Sequence, residues 1–361
     1  MARAGASVDI LAPWIPGVPR AVLLEPRLRL HTHCMVANLL PRLLPKRIAP
    51  ALALLSLQPP IGPRSWLGRF AGCDIIQFEF CAQFHWAALM PTPPAVVYSA
   101  HNVELRYHQA DPELQVLRRP ALWRIEHLER TAVQSSDLVI ACSDEDSRTL
   151  AALYRPPQRQ AVIANGFDAA LLTFERAALR DTARAALGFK PSDRVILFVG
   201  GDAPHNRDAV RFLAYDVLPA LDHTARLLIL GESGAAAPRG HPHIRQPGFV
   251  EDWRTYFAAT DVAVNPVAFG SGTNIKLAEY VAAGLPSIST PFGLRGMPHL
   301  ASMVRSVPRG RFTEALGASL PESPQKRAML QAWTWDALGR SLGERYCELQ
   351  VETADALRSN A

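Results

Sequence analysis

DVAVNPVAFGSGTNIKLAEYVAAGLPSIST, residues 261–290, decides the fold class. A short valine-rich run leads into a glycine-bearing loop, a helical pattern and a second short apolar run, the order of a βαβ unit with buried parallel strands. Gly270 and Gly272 let the backbone come close to a ligand. Thr273 is expected to open the helix, whose free N–H groups and positive dipole end favour a phosphate. At three- and four-residue spacing, Gly272, Lys276, Glu279 and Ala283 share one helix face, and Ile275, Ala278 and Ala282 share another. Lys276 can then neutralise phosphate charge while Glu279 accepts hydrogen bonds from a sugar diol. The same spacing equally describes a surface Lys–Glu pair worth a few tenths of a kcal/mol. Spacing alone leaves both readings open.

Working outward, the pattern repeats from end to end. Strands are expected at 8–11, 51–57, 74–80, 95–100, 137–143 and 161–165 in the first half, and at 194–200, 225–231, 243–248, 261–266, 286–290 and 303–307 in the second. Helices are expected over 120–135, 144–154, 206–218, 250–259, 273–283 and about 324–356. Ser143 followed by Asp146 has the spacing of a capping box, with Asp in place of the usual Glu or Gln. Residues 166–193 open on Asn165-Gly166, contain no strand pattern and mark a domain boundary. The class is α/β, with two lobes.

Composition bounds the function. The 361 residues, 48% hydrophobic and 20% charged, can bury two cores and exclude wholesale disorder. The most apolar stretch, IAPALALLSL at 48–57, is half the length of a membrane-spanning helix, and MARAGASVDILAPW has no export signal, so a cytoplasmic location is expected. Five scattered cysteines without a CxxC pair read as reduced core residues. Residues 1–72 hold nine Lys and Arg against Asp9 and Glu25, a net +7 in a chain whose total is +5. That cluster suits peripheral contact with an anionic membrane face through residues 20–72, and suits equally a solvated surface. The chain lacks GxGxxG, GxxxxGK[ST], HExxH and GxSxG, its histidines are too scattered for a metal site, and the basic region carries no nucleic-acid motif.

GSGTNIKLAEYVAAGLPSISTPFGLRGM (270–297) resembles the donor-binding signature of the group 1, or family 4, retaining glycosyltransferases. FVGGDAPHNRDAV (198–210), VVYSAHNVELRYH (96–108), ACSDEDSRTL, VIANGFD and AWTWDALGRSLGERY (332–346) are similar to further family segments, in the family's order. The resemblance implies a GT-B fold, two Rossmann-like doubly wound domains facing across a cleft: an acceptor domain at 1–170, a nucleotide-sugar domain at 171–330, and a final helix at 331–361 returning to the first domain. It implies transfer of a sugar, with retention and without metal or cofactor, from a nucleotide-diphosphate sugar to a glycan or lipid-linked acceptor in cell-surface polysaccharide or glycoconjugate synthesis.

Carried over residue by residue, Glu279 holds the ribose hydroxyls. Lys276 and the N–H groups of Gly272, Thr273 and Asn274 hold the diphosphate, with Arg295 as a helper. Gly200 and Gly201 let a loop approach that diphosphate, the backbone at Phe249-Val250 borders the base, and His101 meets the transferred sugar. The chain departs from the family at four positions. Ser271 stands where many members have the first glutamate of a Glu, seven residues, Glu pair, Gly201 and Asn206 stand where many have Arg and Lys, and Asn274 stands where the GSGT branch usually has Arg. MARAGASVDILAP also matches the end of the family's first helix, so that about 30 residues of a βαβ unit are expected upstream of a misplaced start. These departures motivate an alternative reading, a non-catalytic GT-B protein that binds glycan or nucleotide in support of a partner enzyme.

Overall fold

The computed structural model describes residues 6–13, 21–33, 72–89, 95–155, 159–318 and 324–359. It divides into two units, Met1–Ala164 with Leu338–Ala361, and Asn165–Ala337.

The first unit holds β1 (Val8–Pro13), β2 (Ala21–Glu25), β3 (Leu28–His33), β4 (Ile75–Phe78), β5 (Ala95–Ala100), β6 (Leu138–Ala141) and β7 (Gln160–Val162), with α1 (Glu104–Ala110), α2 (Arg118–Ser135) and α3 (Asp144–Tyr154). Strands β4–β5–β6–β7 form a parallel sheet in sequence order. Successive side chains of a strand point to opposite faces. Tyr98, Ala100, Val139 and Ala141 therefore join a core covered by Leu128, Ala132 and Val133 of α2 and Leu150 and Tyr154 of α3. Their neighbours Ala95, Val97, Leu138 and Ile140 join a second core with Leu349. The Ser143 cap forms: its Oγ accepts from the Asp146 N–H at 3.1 Å and donates to the Asp146 carboxylate at 2.9 Å.

Two strands of this unit were not expected. β2 and β3 form a hairpin through the Pro26-Arg27 turn, and β3 pairs in parallel with β1. Arg29 and His31 interrupt the apolar run of β3, which hides it from a search for buried strands. The strand expected at 51–57, Cys34 and the proline-rich stretches 59–63 and 91–94 lie outside the described residues, as does nearly all of 13–19.

The second unit holds β8 (Arg194–Val199), β9 (Ala225–Leu230), β10 (Ile244–Gly248), β11 (Val262–Asn265), β12 (Ser287–Ser289) and β13 (Val304–Ser306) in one parallel sheet of order β10–β9–β8–β11–β12–β13. Its helices are α4 (Arg176–Leu187), α5 (Pro204–Arg211), α6 (Arg254–Ala259), α7 (Ile275–Ala282) and α8 (Phe312–Gly317). Val195, Leu197, Leu228, Leu230 and Ala263 pack on one face against Phe257 of α6 and Leu277, Ala278 and Val281 of α7. Ile196, Phe198, Leu227, Ile229 and Val264 pack on the other against Ala209 and Val210 of α5 and Phe312 of α8. Each large side chain so buried contributes roughly 1.5–3 kcal/mol. Continuous apolar runs are what a strand covered on both faces requires.

Helix α9 (Trp335–Ser359) follows 3₁₀ turns at Pro324–Trp333, so the single helix expected from 324 is broken at Thr334. Leu342, Tyr346 and Leu349 of α9 pack on the first unit's sheet. Trp333 stacks on His299 inside the second unit, with centroids 3.5 Å apart, and Trp335 is half exposed. Of the cysteines expected to be buried, Cys81 and Cys142 are, Cys73 is half-buried and Cys347 is exposed. Among the described residues no helix is long and apolar enough to cross a membrane.

Candidate functional site

In a parallel sheet the carboxyl ends of all strands lie on one edge, and ligands bind where the strand order reverses. In the second unit that reversal falls between β8 and β11, since β9 and β10 continue outward from β8 while β12 and β13 continue outward from β11. The loop after β8 carries Gly200 and Gly201, and the loop after β11 carries Gly270 to Asn274. Both sequence-expected glycine loops therefore sit at the switch point.

One hydrogen bond joins them. Lys276 Nζ donates to Asn206 Oδ1 at 2.6 Å, and Asn206 Nδ2 donates to the Gly201 carbonyl at 3.2 Å. The ammonium also lies 4.4 Å from the centre of the Phe198 ring. Asn206 thus uses the position of the family's second basic residue to hold the first loop against Lys276. Lys276 and Glu279, three residues apart, form no ion pair, which removes the surface-pair reading left open by their spacing. Burial lowers the Lys276 ammonium from its ordinary 10.5 to about 7, with Glu279 opposing the shift. Burial also raises the Glu279 carboxyl, against the pull of Lys276, and among the described residues nothing donates a hydrogen bond to it.

The second loop is shaped by its own contacts. Gly270 and Gly272 adopt φ of 123° and 71°, where a side chain is strained, which accounts for glycine at both places. α7 begins at Ile275, two residues later than expected, with Asn274 as its N-cap. Thr273 Oγ1 accepts from Asn165 Nδ2 at 2.8 Å, and Asn274 Nδ2 donates to the Gly293 carbonyl at 3.1 Å. Arg295 donates to the Gly272 carbonyl and lies over the Phe292 ring. Its charge is next to the loop, and its donors hold the loop's backbone. Ser271 lies between the two glycines. Phe249 and Val250 follow β10, two strands from β8. Phe249 is 75% exposed and Val250 packs on the core.

In the first unit His101 follows β5 and is bonded through Nε2 to Glu79 Oε2 at 2.8 Å. Glu79 follows β4, the neighbouring strand, and also accepts from Gln77. The bond to Glu79 raises the His101 imidazole, outweighing burial. Burial acts against the Glu79 charge, but the donors His101 and Gln77 prevail and hold its carboxyl below the ordinary range. Beneath this pair, Glu129 of α2 is fully buried and accepts the N–H groups of Glu104 at 2.6 Å and Leu105 at 3.1 Å, and the Tyr154 hydroxyl at 2.7 Å. Glu104 accordingly starts helix α1. Neither Glu79 nor Glu129 was singled out from the sequence. Glu79 lies within a run read as strand, and only the pairing of β4 with β5 brings it to His101.

Two α/β units built on parallel sheets, the second doubly wound with a glycine-loop cation site at its switch point, have the architecture of the GT-B class, and solved structures share this fold. Sucrose-phosphate synthase from Thermosynechococcus elongatus matches with a TM-score of 0.71 at 18% identity, covering 97% of this chain and 91% of that one. The HepE protein of Anabaena, solved with UDP and glucose, matches with a TM-score of 0.58 at 16% identity, covering 92% and 86%. In sequence, residues 1–171 match the family described as Glycosyltransferase Family 4, and residues 193–310 match Glycosyl transferases group 1. The chain belongs to the group 1, family 4 glycosyltransferases. A D-inositol 3-phosphate glycosyltransferase of Mycobacterium marinum is 27% identical over 186 residues, 47% of this chain and 38% of that protein. The match thus spans well under half the length of that relative.

Proposed function

We propose that the protein transfers a sugar, with retention and without a metal, from a nucleotide-diphosphate sugar to a glycan or lipid-linked acceptor in the making of a cell-surface glycan or glycoconjugate. The observation that carries this reading is the Lys276–Asn206 bond across the switch point, beside a Glu279 carboxylate that no described group supplies with a donor. Glu279 takes the ribose hydroxyls. Lys276 and the N–H groups of Gly272, Thr273 and Asn274 take the diphosphate, with Gly200, Gly201, Asn206 and Ser271 around it and Phe249-Val250 at the base. When the bond to the anomeric carbon breaks, negative charge grows on the diphosphate oxygen, and donors already aimed there lower the barrier without reorganising. An arriving diphosphate also favours the charged form of Lys276. We assign to the first unit the acceptor and, through His101, a contact with the transferred sugar, and to its basic residues 20–72 a peripheral contact with the cytoplasmic membrane face.

The likeness to a D-inositol 3-phosphate glycosyltransferase and a sucrose-phosphate synthase supports a second reading of the acceptor as a small phosphorylated polyol or sugar. Calorimetry with UDP, GDP, ADP and CDP tests the donor site. One nucleotide should bind selectively and lose roughly 1–3 kcal/mol in Glu279→Ala or Lys276→Ala, the cost of a removed charged hydrogen bond. No binding to the folded protein overturns the reading, and binding without turnover supports the non-catalytic alternative.

A further inference from the structure

His205 is not part of the site read from the sequence, yet it stands inside it. It follows Pro204 at the start of α5 and precedes Asn206, the acceptor for Lys276. Its ring lies against the second glycine loop. Nδ1 is 3.4 Å from the point a Cβ on Gly270 would occupy, and the Phe269 ring meets the imidazole edge-on at 6.5 Å. The side chain therefore bridges the two loops on the same side as Lys276. The charged groups that act on it come from every element around it: Lys276 of α7, Arg295 of the turn after β12, and Arg207 and Asp208 of α5. Three of the four are cations. Arg207 is paired with Asp202 and Asp208 with Arg309, so the local field at the imidazole is positive.

We infer that His205 is a ligand of the donor diphosphate and engages it as the imidazolium, so that binding of a nucleotide sugar draws a proton from solvent. The inference rests on the donor-site reading above and adds a residue and a linkage to it. Burial and then Lys276, Arg295 and Arg207 hold the imidazole neutral, lowering it from its ordinary 6.5 to about 4. A diphosphate reverses the sign of that field, which favours the charged form of a base beside it. His205 then becomes a second cation on the anion, at a position next to the Asn206 that replaces the family's lysine. Lys276 takes up protons on binding as well, but in a different range. With its ammonium at about 7 it is already charged at pH 6, where His205 is still neutral. Uptake at pH 6 therefore reports His205, and uptake at pH 8 reports Lys276.

The test is calorimetry of UDP-glucose, GDP-mannose and ADP-glucose, whose diphosphates carry no titrating proton near neutrality, in buffers of different protonation enthalpy. The wild type should take up on the order of half to one proton at pH 6, and its affinity should rise by about tenfold at most per pH unit as pH falls from 7 to 5.5, the limit linkage sets for one proton. His205→Asn should lose that uptake and that slope while keeping the uptake at pH 8, and Lys276→Met should do the reverse. A merely structural His205, packed on Phe269, would change affinity without changing the proton count. Binding with no uptake at pH 6, or with equal uptake in His205→Asn, overturns the inference and leaves the donor site standing. No binding of any of the three sugars to the wild type overturns both. If His205→Asn fails to fold, wild-type uptake at pH 6 still decides.

Discussion

Replacing Lys276 by methionine should change how the stability of the second unit depends on pH. The native ammonium lets its proton go at about 7, whereas in the unfolded chain it holds it to its ordinary 10.5. Between these values the unfolded state binds more protons than the native one, so wild-type stability rises with pH by ~1.4 kcal/mol per pH unit. Below about pH 7 both states are protonated and the full burial penalty is in force. From pH 6.5 to 9.5 the ceiling is about 3.4 kcal/mol. Lys276 is half-buried, and solvent screening at such a site reduces the gain to about 1.5–3 kcal/mol. Lys276→Met lacks this term, while its tyrosines and other lysines are those of the wild type and cancel in the difference. The assay is urea unfolding of both proteins at the two pH values, followed through tryptophan fluorescence. The wild type should gain on the variant by that amount at the higher pH. A difference that stays flat with pH would refute the claim that the fold keeps a desolvated ammonium ready for an anion.

Glu79→Gln should lower the pH at which His101 gives up its proton, because the carboxylate that favours the imidazolium is gone; proton NMR titration of the His101 ring reads this, and an unmoved titration refutes it. Glu129→Ala strands two backbone N–H groups and the Tyr154 hydroxyl, and should cost at least about 3 kcal/mol in urea unfolding. Burial raises the Glu129 carboxyl from 4.5 to about 7, so its contribution is full below 4.5 and is lost as pH rises through about 7, and the wild type should fall relative to Glu129→Gln across that window. Gly231→Ala places a Cβ 2.3 Å from the Gly200 carbonyl oxygen at φ 92° and should cost at least about 2 kcal/mol. A wild-type melting temperature in that variant would show that the Gly200 loop yields without cost.

The sheet cores were legible because a strand buried on both faces must be apolar at every position. RVILFV and ARLLIL say so outright, and the alternation of their side chains then builds both cores. The β2–β3 hairpin was not, since Arg29 and His31 break the run and its pairing comes from a turn rather than from burial. At the site, the glycine loops and Lys276 were visible from residue type and spacing. What those residues bond to was not: the Lys276 bond to Asn206 spans 70 positions, the Asn165 bond to Thr273 spans 108, and the Glu79 bond to His101 depends on the register of β4 against β5. Local pattern carries no record of such partners. His205 escaped notice for a related reason, because its meaning lies in the cations Lys276 and Arg295 that two distant segments bring to it beside Arg207 of its own helix.

The short parallel bridge between Phe167 and Thr334 makes the second unit a self-closed cassette. Phe167 N–H donates to the Trp333 carbonyl at 3.3 Å and Trp335 N–H donates to the Phe167 carbonyl at 3.1 Å, so the segments where the chain enters and leaves this unit run side by side. Adjacent ends are what domain insertion and circular permutation require. Residues 165–337 can therefore be cut out as one continuous piece, or their old ends joined by a short linker and new ends opened at an exposed turn such as His223-Thr224, with the sheet order intact. A fold wired in this way allows the second unit to be exchanged between relatives by splicing at two neighbouring points.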